Sequence, residues 1–414
     1  MPLVPTPHPR RRGPLRVLFV QGHLRENGGL RVVNALAERF VADGVRTSLF
    51  ALEDVGCSEP VALPGPGVRL HLGASADLPA ARRLPTALAR LLRVARDHDV
   101  VVSGSEIGHG LLAASLTARA LGKPFVVLAQ GDLDAALEAW VPPKLRAPTR
   151  WVHRHADAAV AVSPGLVPGL VANGIPADRV HVVVNGVDVD ALTERATEPS
   201  PVALDPDRPT VLAVGRLTGH KGFDLLLRAS ARVRGAGHDH ELVVLGEGPD
   251  RPALEALRTE LGADHVRLPG FVDNPAALLA RADLLVSSSR TEAMPLTLLE
   301  ALALAVPVVA TDCCEGSRLL LDDGRHGALV APESVDALAD ALTAHLTDQR
   351  PLRHAAAGGP SFARGFEPRR LARRHLELLS AVAHRPLPAF APLPVGTVDP
   401  RTRTGRGPSL GTNA

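Results

Sequence analysis

The sequence predicts an α/β protein made of two doubly wound, parallel-sheet domains that face a cleft. Short apolar segments alternate with helical segments from Leu15 onward, a Pro-rich segment interrupts the alternation, and the alternation restarts at Thr210. Such alternation is typical of a parallel sheet that is covered by helices on both faces. The chain has 414 residues, which is enough for two domains of roughly 150–200 residues each.

The first domain is predicted at residues 15–195, after a Pro/Arg-rich tail at 1–14 that we expect to be disordered. Its strands are short apolar runs, and its helices are the segments between those runs. The predicted strands are Leu15–Val20, Thr47–Leu52, Val100–Ser103, Pro124–Ala129, Ala158–Ser163 and Val180–Val184. The predicted helices are Leu30–Ala42, Ala87–Asp97, Gly110–Leu121, Lys144–His155 and Gly165–Asn173.

The second domain is predicted at residues 210–366, after a Pro-rich linker at 196–209. A terminal helix at 367–384 and a disordered tail at 385–414 follow it. The predicted strands are Thr210–Val214, Glu241–Leu245, Val266–Leu268, Leu284–Ser287, Val308–Ala310 and Ala328–Val330. The predicted helices are Phe223–Arg234, Arg251–Leu261, Asn274–Arg281, Pro295–Ala303 and Ser334–Leu346.

Composition argues against several classes of protein. A formal net charge of +2 lacks the basic excess of a dedicated nucleic-acid binder. No apolar run reaches the roughly 18 residues of a membrane span, and the start of the chain lacks the apolar core of a signal peptide. Three cysteines make no disulfide framework, so we expect a cytoplasmic location. Three arginines, Arg10–Arg12, leave open a weak peripheral contact with an anionic membrane, about 1 kcal/mol per charge.

Several common catalytic sites are not predicted. The 17 histidines form no H-E-x-x-H motif and no cluster with cysteine, so no metal site is expected. Neither a P-loop nor a G-x-S-x-G motif is present. Residues 245–251 (LGEGPDR) resemble a dinucleotide fingerprint, but Arg251 occupies the place of the third glycine. We therefore favour a tight turn at Gly246 that lines a nucleotide.

Two cations follow the first strand of the second domain. In residues 211–222 (VLAVGRLTGHKG), Gly215 ends the strand, and Arg216 and Lys221 precede a helix. Arginine binds phosphate oxygens in a fork, lysine adds a mobile point charge, and a helix N-terminus attracts anions. The pair predicts a diphosphate site, although either residue alone would be an ordinary surface cation.

Two glutamates flank the start of a predicted helix further along the chain. Glu292 lies in a Ser-rich loop before Pro295, and Glu300 lies inside the helix, more than one turn on. Proline is tolerated in the first turn of a helix, where nearby amides attract anions and oxygen-rich ligands. The expected amides are those of Met294, Leu296 and Thr297. The Glu292 carboxylate before the helix and the Glu300 carboxylate inside it could hold the hydroxyls of a sugar and of a ribose.

The first domain offers weaker candidates. Gly28 and Gly29 follow Asn27 after the first strand, and paired glycines allow a backbone to approach a ligand closely, although a flexible loop explains them equally. Gln130 ends another strand and can hydrogen-bond a sugar hydroxyl. His109 lies one strand earlier, either as a helix-start residue or as a second ligand-binding group.

These segments resemble retaining glycosyltransferases of family four, the group 1 glycosyltransferases, which have the GT-B fold of two Rossmann-like domains. Glu292 and Glu300 match the two acidic positions of the E-x7-E motif, and Arg216 and Lys221 match the basic positions of the G-R-L-x-x-x-K-G segment. Ala293 replaces the usual glycine, and many members have a histidine where this chain has Gln130.

The resemblance implies a retaining, metal-independent, hexosyltransferase-like enzyme. It would move a sugar from a nucleotide-diphosphate sugar, as co-substrate and with no other cofactor, to a hydroxyl acceptor in polysaccharide, cell-wall or glycoconjugate synthesis. The acceptor could be a saccharide, a lipid-linked molecule or a small molecule. With the residue arguments above, the expected catalytic residues are Arg216, Lys221 and Glu292. The expected donor-binding residues are Gly28, Gly29, Gln130, Gly215, Gly246, Phe271, Val272, Met294, Pro295, Leu296 and Glu300.

Two alternatives remain open from the sequence. Another GT-B enzyme, such as a sugar phosphorylase or a nucleotide-sugar epimerase, would share the fold and the phosphate site. A non-catalytic nucleotide-sugar-binding protein would accommodate Gln130 in place of the usual histidine. Turnover of a nucleotide sugar with and without an acceptor separates these alternatives.

Overall fold

The computed structural model describes residues 13–24, 28–54, 63–75 and 79–388, and the chain divides into two compact units. Unit 1 contains the chain up to Asn185 and the segment that begins at Arg369, whereas unit 2 contains Gly186–Pro368. Each unit is built on one parallel sheet, which confirms the predicted α/β class. Most of both predicted tails lies outside the described residues.

Unit 1 has a seven-stranded sheet with the order β3-β2-β1-β4-β5-β6-β7. Every strand pair is parallel, and the register places Val20 of β1 beside Ser103 of β4. The strand order reverses between β1 and β4, which makes the carboxyl ends of these strands the topological switch point. The strands are β1 Arg16–His23, β2 Arg46–Asp54, β3 Arg69–Ser75, β4 Val100–Ser103, β5 Phe125–Ala129, β6 Ala158–Ala161 and β7 Val180–Val182.

Helices cover both faces of this sheet, as parallel sheets require. They are α1 Gly28–Ala42, α2 Ala80–Ala95, α3 Gly108–Ala120, α4 Leu133–Trp140, α5 Pro143–Arg154 and α6 Val167–Ala172. The last helix of the chain, α16 Pro368–Ala383, also belongs to this unit from Arg369 onward. Just after it, Arg385 donates to the carboxylate of Asp99 at 2.7 Å.

Unit 2 has a six-stranded parallel sheet with the order β10-β9-β8-β11-β12-β13, and its switch point lies between β8 and β11. The strands are β8 Thr210–Val214, β9 Glu241–Leu245, β10 Val266–Gly270, β11 Leu284–Ser287, β12 Val308–Thr311 and β13 Ala328–Val330. The helices are α7 Val189–Ala196, α8 Phe223–Gly235, α9 Arg251–Glu260, α10 Pro275–Leu279, α11 Leu296–Ala303, α12 Glu315–Leu321, α13 Val335–Thr347, α14 Arg350–Ala357 and α15 Gly359–Ala363.

Central strands supply the core of each unit. Every residue of β5 (FVVLA) and of β9 (ELVVL) is buried, because helices cover both faces of the sheet. Each fully buried Val, Leu or Phe side chain contributes about 1.5–3 kcal/mol relative to an exposed one. This burial holds the loops at the strand ends in fixed positions.

The structure contains elements that the apolar pattern does not predict. Strand β3 was missed because it is an edge strand whose Leu72 is 39% exposed, so its sequence (RLHLGAS) has no continuous apolar run. Helix α4 was not predicted either. Short helices α7, α12, α14 and α15 were also missed, since few of their residues are apolar at helical spacing.

The Pro-rich segment at 196–209 is held by unit 2. Nδ2 of Asn274 donates to the carboxylate of Glu198 at 2.8 Å, and the Asp205 amide donates to Glu241 at 3.1 Å. The division between the units lies earlier, between Asn185 and Gly186. The prolines correctly indicate an irregular backbone in this segment. Side-chain contacts determine to which unit the segment belongs.

No helix in the described part of the chain has the length and apolar character that crossing a membrane demands.

Candidate active site

Two glycines shape the turn between β8 and α8 in unit 2. Gly215 donates its amide to the Leu245 carbonyl at 2.9 Å, and a Cβ on Gly215 would lie 3.3 Å from Cε of Lys221. Gly222 has φ 62°, and a Cβ there would lie 2.1 Å from the Ser288 carbonyl oxygen. Only glycine therefore fits at 222, where the β8 turn meets the loop after β11.

Lys221 and Glu292 form an ion pair across these two loops. Nζ of Lys221 binds Oε1 of Glu292, and the Ser289 hydroxyl donates to the same oxygen at 2.8 Å. The side chains of Lys221 and Glu292 are 21% and 14% exposed. Ser288 adds a hydrogen bond from its hydroxyl to the Lys221 carbonyl at 3.0 Å. A partly buried ammonium is thus fixed beside a carboxylate and can meet a ligand.

Arg216 belongs to the same neighbourhood. Burial lowers the pKa of His220, the positive charges of Lys221 and Arg216 lower it further, and the negative charge of Glu292 opposes them. All three charges therefore act at one imidazole. The three predicted catalytic side chains are brought together at the switch point of unit 2, where ligands bind in open α/β sheets.

Arg290 supports this turn and was not identified from the sequence. Its guanidinium forms a two-pronged pair with Asp224 at 2.7 and 2.8 Å and donates to the Gly219 carbonyl at 2.7 Å. Its amide donates to the His220 carbonyl at 2.7 Å. The guanidinium lowers the pKa of Asp224. Its position between the Ser-rich turn and Glu292 could have marked Arg290 as a site residue. Its partner Asp224 is apparent only from the fold.

Helix α11 begins one residue later than predicted. Pro295 is the N-cap residue, with φ −74° and ψ 95°, and the helix starts at Leu296. Because proline offers no side-chain acceptor, no side-chain hydrogen bond caps the first turn. Met294 is 7% exposed, so it contributes mainly backbone to any ligand contact. Glu300 lies inside the helix and is half-buried.

The ends of β9 and β10 continue the same sheet edge. Gly246 has φ 138°, and a Cβ on it would lie 1.9 Å from the Gly215 carbonyl oxygen. Its amide donates to the Gly270 carbonyl at 2.9 Å. Phe271, which follows β10, is 43% exposed, and Val272 beside it is half-buried. Since β10, β9 and β8 are neighbours, these residues lie in line with the Lys221 turn.

Two adjacent thiols follow β12, beside the Glu292 loop. A hydrogen bond from Cys313 lowers the pKa of Cys314 to about 7, and burial opposes that shift. The Ser317 amide also donates to Sγ of Cys314 at 3.3 Å. The same thiol–thiol contact raises the pKa of Cys313. Both residues are half-buried.

A separate cavity of about 500 Å³ lies within unit 1 at the switch point of its sheet. Gly29, Gln130 and His109 all line it, so it contains three of the candidate residues of this unit. Gly28, the first residue of α1, is exposed and is not part of the lining, and Asn27 lies outside the described residues.

Glu106 also lines this cavity and was not identified from the sequence. It is 9% exposed, and its Oε2 accepts the Gln130 amide at 3.1 Å. Burial raises the pKa of its carboxyl group. Its position just after a predicted strand could have drawn attention to it. Across the described ranges, no three His, Cys, Asp or Glu side chains are arranged to hold a metal ion.

Two family descriptions match the chain. "Glycosyl transferase 4-like domain" matches residues 27–186, and "Glycosyl transferases group 1" matches residues 208–348. The GDP-mannose-dependent alpha-mannosyltransferase of Mycobacterium tuberculosis is 35% identical over 299 residues, which cover 69% of this chain and 75% of that protein. The alpha-D-kanosaminyltransferase of Streptomyces kanamyceticus is 34% identical over 182 residues, 42% of this chain and 47% of that protein.

Solved structures share the fold at low sequence identity. Anabaena HepE in complex with UDP and glucose superposes with a TM-score of 0.74 and 18% identity, covering 89% of this chain and 100% of that one. Sucrose-phosphate synthase from Thermosynechococcus elongatus gives a TM-score of 0.73 at 19% identity, covering 89% and 99%. The chain is therefore a glycosyltransferase with the GT-B fold, and it belongs to the group 1, family-four glycosyltransferases.

Proposed function

We propose that the chain is a retaining glycosyltransferase that uses a nucleotide-diphosphate sugar bound by unit 2. The observation that carries the proposal is the Lys221–Glu292 ion pair at the switch point, with Arg216 in the same turn after β8. Two cations beside one carboxylate suit a diphosphate joined to a polyhydroxylated sugar. HepE, which shares the fold, has been seen with UDP and with UDP-glucose, and this supports the choice of ligand class.

The donor would extend along the carboxyl edge of the sheet. Phe271 and Val272 would contact the base, and Glu300 would hold the ribose. The backbone at Gly246 and Gly215 would lie close to the ribose and the phosphates. Met294, Pro295 and Leu296 would present backbone to the donor. From β10 to β11 there are three strand spacings, roughly 14 Å, which fits an extended nucleotide sugar.

In the reaction, the bond between the anomeric carbon and the phosphate oxygen breaks, and the acceptor oxygen bonds to that carbon on the same face. The departing phosphate takes the proton of the acceptor hydroxyl. Arg216 and Lys221 would neutralise the charge that grows on the diphosphate, the main electrostatic task of the site. Glu292, already bound by Lys221 and Ser289, is better placed to orient the sugar than to attack it.

We assign no metal and no other cofactor, because two side-chain cations supply the positive charge that a divalent ion would bring. Turnover should therefore persist in excess EDTA. Loss of turnover that a divalent cation restores would contradict this part of the proposal.

Unit 1 would bind the hydroxyl acceptor, with Gly28, Gly29 and Gln130 contacting the reacting sugars. The expected setting is the cytoplasm, where nucleotide sugars serve synthesis of polysaccharide, cell wall or glycoconjugate. Arg10–Arg12, outside the described residues, would add a weak attraction to anionic lipid, about 1 kcal/mol per charge. Co-sedimentation with anionic vesicles, with and without residues 1–12, measures that contribution.

The deciding experiment incubates the full chain with UDP-, GDP-, dTDP- and ADP-sugars and follows free nucleotide with and without acceptors. We expect one donor class to be consumed, and NMR of the product should show the anomeric configuration of the donor. Binding without turnover would indicate a sugar-binding protein, and phosphate-dependent release of a sugar phosphate would indicate a phosphorylase. An inverted product would overturn retention.

A further inference from the structure

Polar and apolar residues together line the cavity of unit 1. Leu84 and Ala87 of α2 are among the apolar ones, and Glu53 and Glu106 are among the polar ones. Such a mixture suits a sugar ring, which has apolar faces and hydroxyl groups. Among the described residues that line the cavity, none is a lysine or an arginine.

Contacts with the residues that follow β5 hold Glu106 in place. Its Oε2 accepts the Gln130 amide, and a Cβ on Gly131 would lie 2.8 Å from its Oε1, so the carboxyl group fits because residue 131 is glycine. Among the described residues, Glu106 has no ion-pair partner, and burial raises its pKa. A buried acid without a cation is stabilised in its charged form when a cation arrives.

His153, which contacts Glu106, does not supply that cation. His153 binds the Glu106 carbonyl through Nε2 at 2.7 Å, and burial lowers the pKa of His153, which keeps it neutral. His23 and His109 line the same cavity. Nε2 of Gln130 is buried and has no hydrogen-bond partner among the described residues. The other polar residues of the lining can hydrogen-bond the hydroxyls of a polyol.

We propose that this cavity selects an amine-bearing polyhydroxylated acceptor, such as an amino sugar, with Glu106 receiving the ammonium group. The inference rests on the proposed function, because a bound sugar is an acceptor only if the chain is a transferase. The binding itself can be tested without a donor. Glu106 acts here as a specificity-determining residue, because an ammonium group stabilises the charged form of its buried carboxyl group.

The first test compares binding of D-glucosamine, D-glucose and N-acetyl-D-glucosamine to the full chain by ligand-observed NMR, with no donor present. Glucosamine should bind at least about tenfold more tightly than glucose, since hydrogen bonds to charged groups are the strong ones. N-acetylglucosamine, which lacks the positive charge, should lose this advantage. Equal binding of all three sugars would overturn the proposal.

A variant pair assigns the effect to Glu106. Glu106→Gln keeps an oxygen that can accept the Gln130 amide but removes the acid, so the preference for glucosamine over glucose should disappear. Glu138→Gln makes the same change on the exposed surface of α4, and it should keep the preference. A preference that survives in Glu106→Gln would contradict the assignment.

A third measurement needs no variant. The preference for glucosamine should disappear when the pH is raised until its amino group is uncharged, whereas the binding of glucose should not change. Ligand-observed NMR over that pH range measures this, and a preference that persists would overturn the proposal. Failure of donor turnover in the nucleotide-sugar panel would instead refute the proposed function and leave these binding results intact.

Discussion

Lys221 shows how a single residue joins parts of the chain that are distant in sequence. Its partner Glu292 lies 71 positions later, and Ser289 binds the same carboxylate oxygen. The sequence identified both charged residues because each lies in a recognisable motif. It could not predict that they form an ion pair, because pairing depends on which strand ends become neighbours.

Replacing Lys221 by alanine should lower turnover of the nucleotide sugar by roughly 10²–10³-fold, the usual cost of removing one stabilising charge at a reacting group. Release of free nucleotide measures this, and circular dichroism checks that the variant is folded. Lys144→Ala, on the exposed start of α5, is the matched control and should be unchanged. Equal turnover in the two variants would contradict the assigned role of Lys221.

Cys314 should react with iodoacetamide faster than Cys313. The hydrogen bond from Cys313 lowers the pKa of Cys314 to about 7, so the thiolate population of Cys314 rises as pH increases through about 7. The pKa of Cys313 is raised, which leaves it protonated over the same range. Peptide mass spectrometry at several pH values resolves the two thiols, and also Cys57, which lies outside the described residues. Preferential labelling of Cys313 would refute this order.

At the scale of elements, most strands and helices of unit 2 follow directly from the sequence. The predicted β8, β9, β11 and β13 have the bounds of the observed strands, because buried parallel strands read as short apolar runs. The edge strand β3 and the short helices were missed, since partly exposed elements lack that signal. Glycine patterns indicated tight turns, but the close approach of Gly246 to Gly215 depends on neighbouring strands.

Gly246→Ala tests that close approach. The new Cβ would lie 1.9 Å from the Gly215 carbonyl oxygen at a φ of 138°, so the turn must move. We expect a loss of about 1–3 kcal/mol in the free energy of unfolding of unit 2. Gly235→Ala at the end of α8 adds a Cβ into open space and should be neutral or slightly stabilising. Urea unfolding of the two variants measures the difference, and equal effects would contradict the steric argument.

For the molecule as a whole, buried histidines in both units make the stability of the fold depend on pH. Burial lowers the pKa of His98 and of His375 in unit 1, and of His265 in unit 2, from 6.5 to about 4. These rings are neutral in the folded state, whereas the unfolded chain binds protons once the pH falls below about 6.5. The free energy of unfolding therefore decreases as the pH is lowered.

Stability should be greatest above about pH 6.5 and should fall between about pH 6.5 and 4, by an order of 1–3 kcal/mol per histidine. Urea unfolding over this range measures the slope. Paired carboxylates such as Asp99, whose pKa Arg16 and Arg385 hold below 3.8 against the effect of burial, contribute only at lower pH. A flat profile between pH 6.5 and 5 would show that the histidines do not control stability.

The α/β class, the family and the segments that hold the proposed donor site all follow from the amino-acid sequence. These features depend on local sequence, namely on apolar runs and on short motifs around Arg216, Lys221 and Glu292. In contrast, the folded structure is needed to see that Arg290 supports the Lys221 turn and that Glu106 is buried in a cavity beside Gln130. Partner choice and burial arise from packing between residues that are far apart in the chain, and no local pattern encodes them.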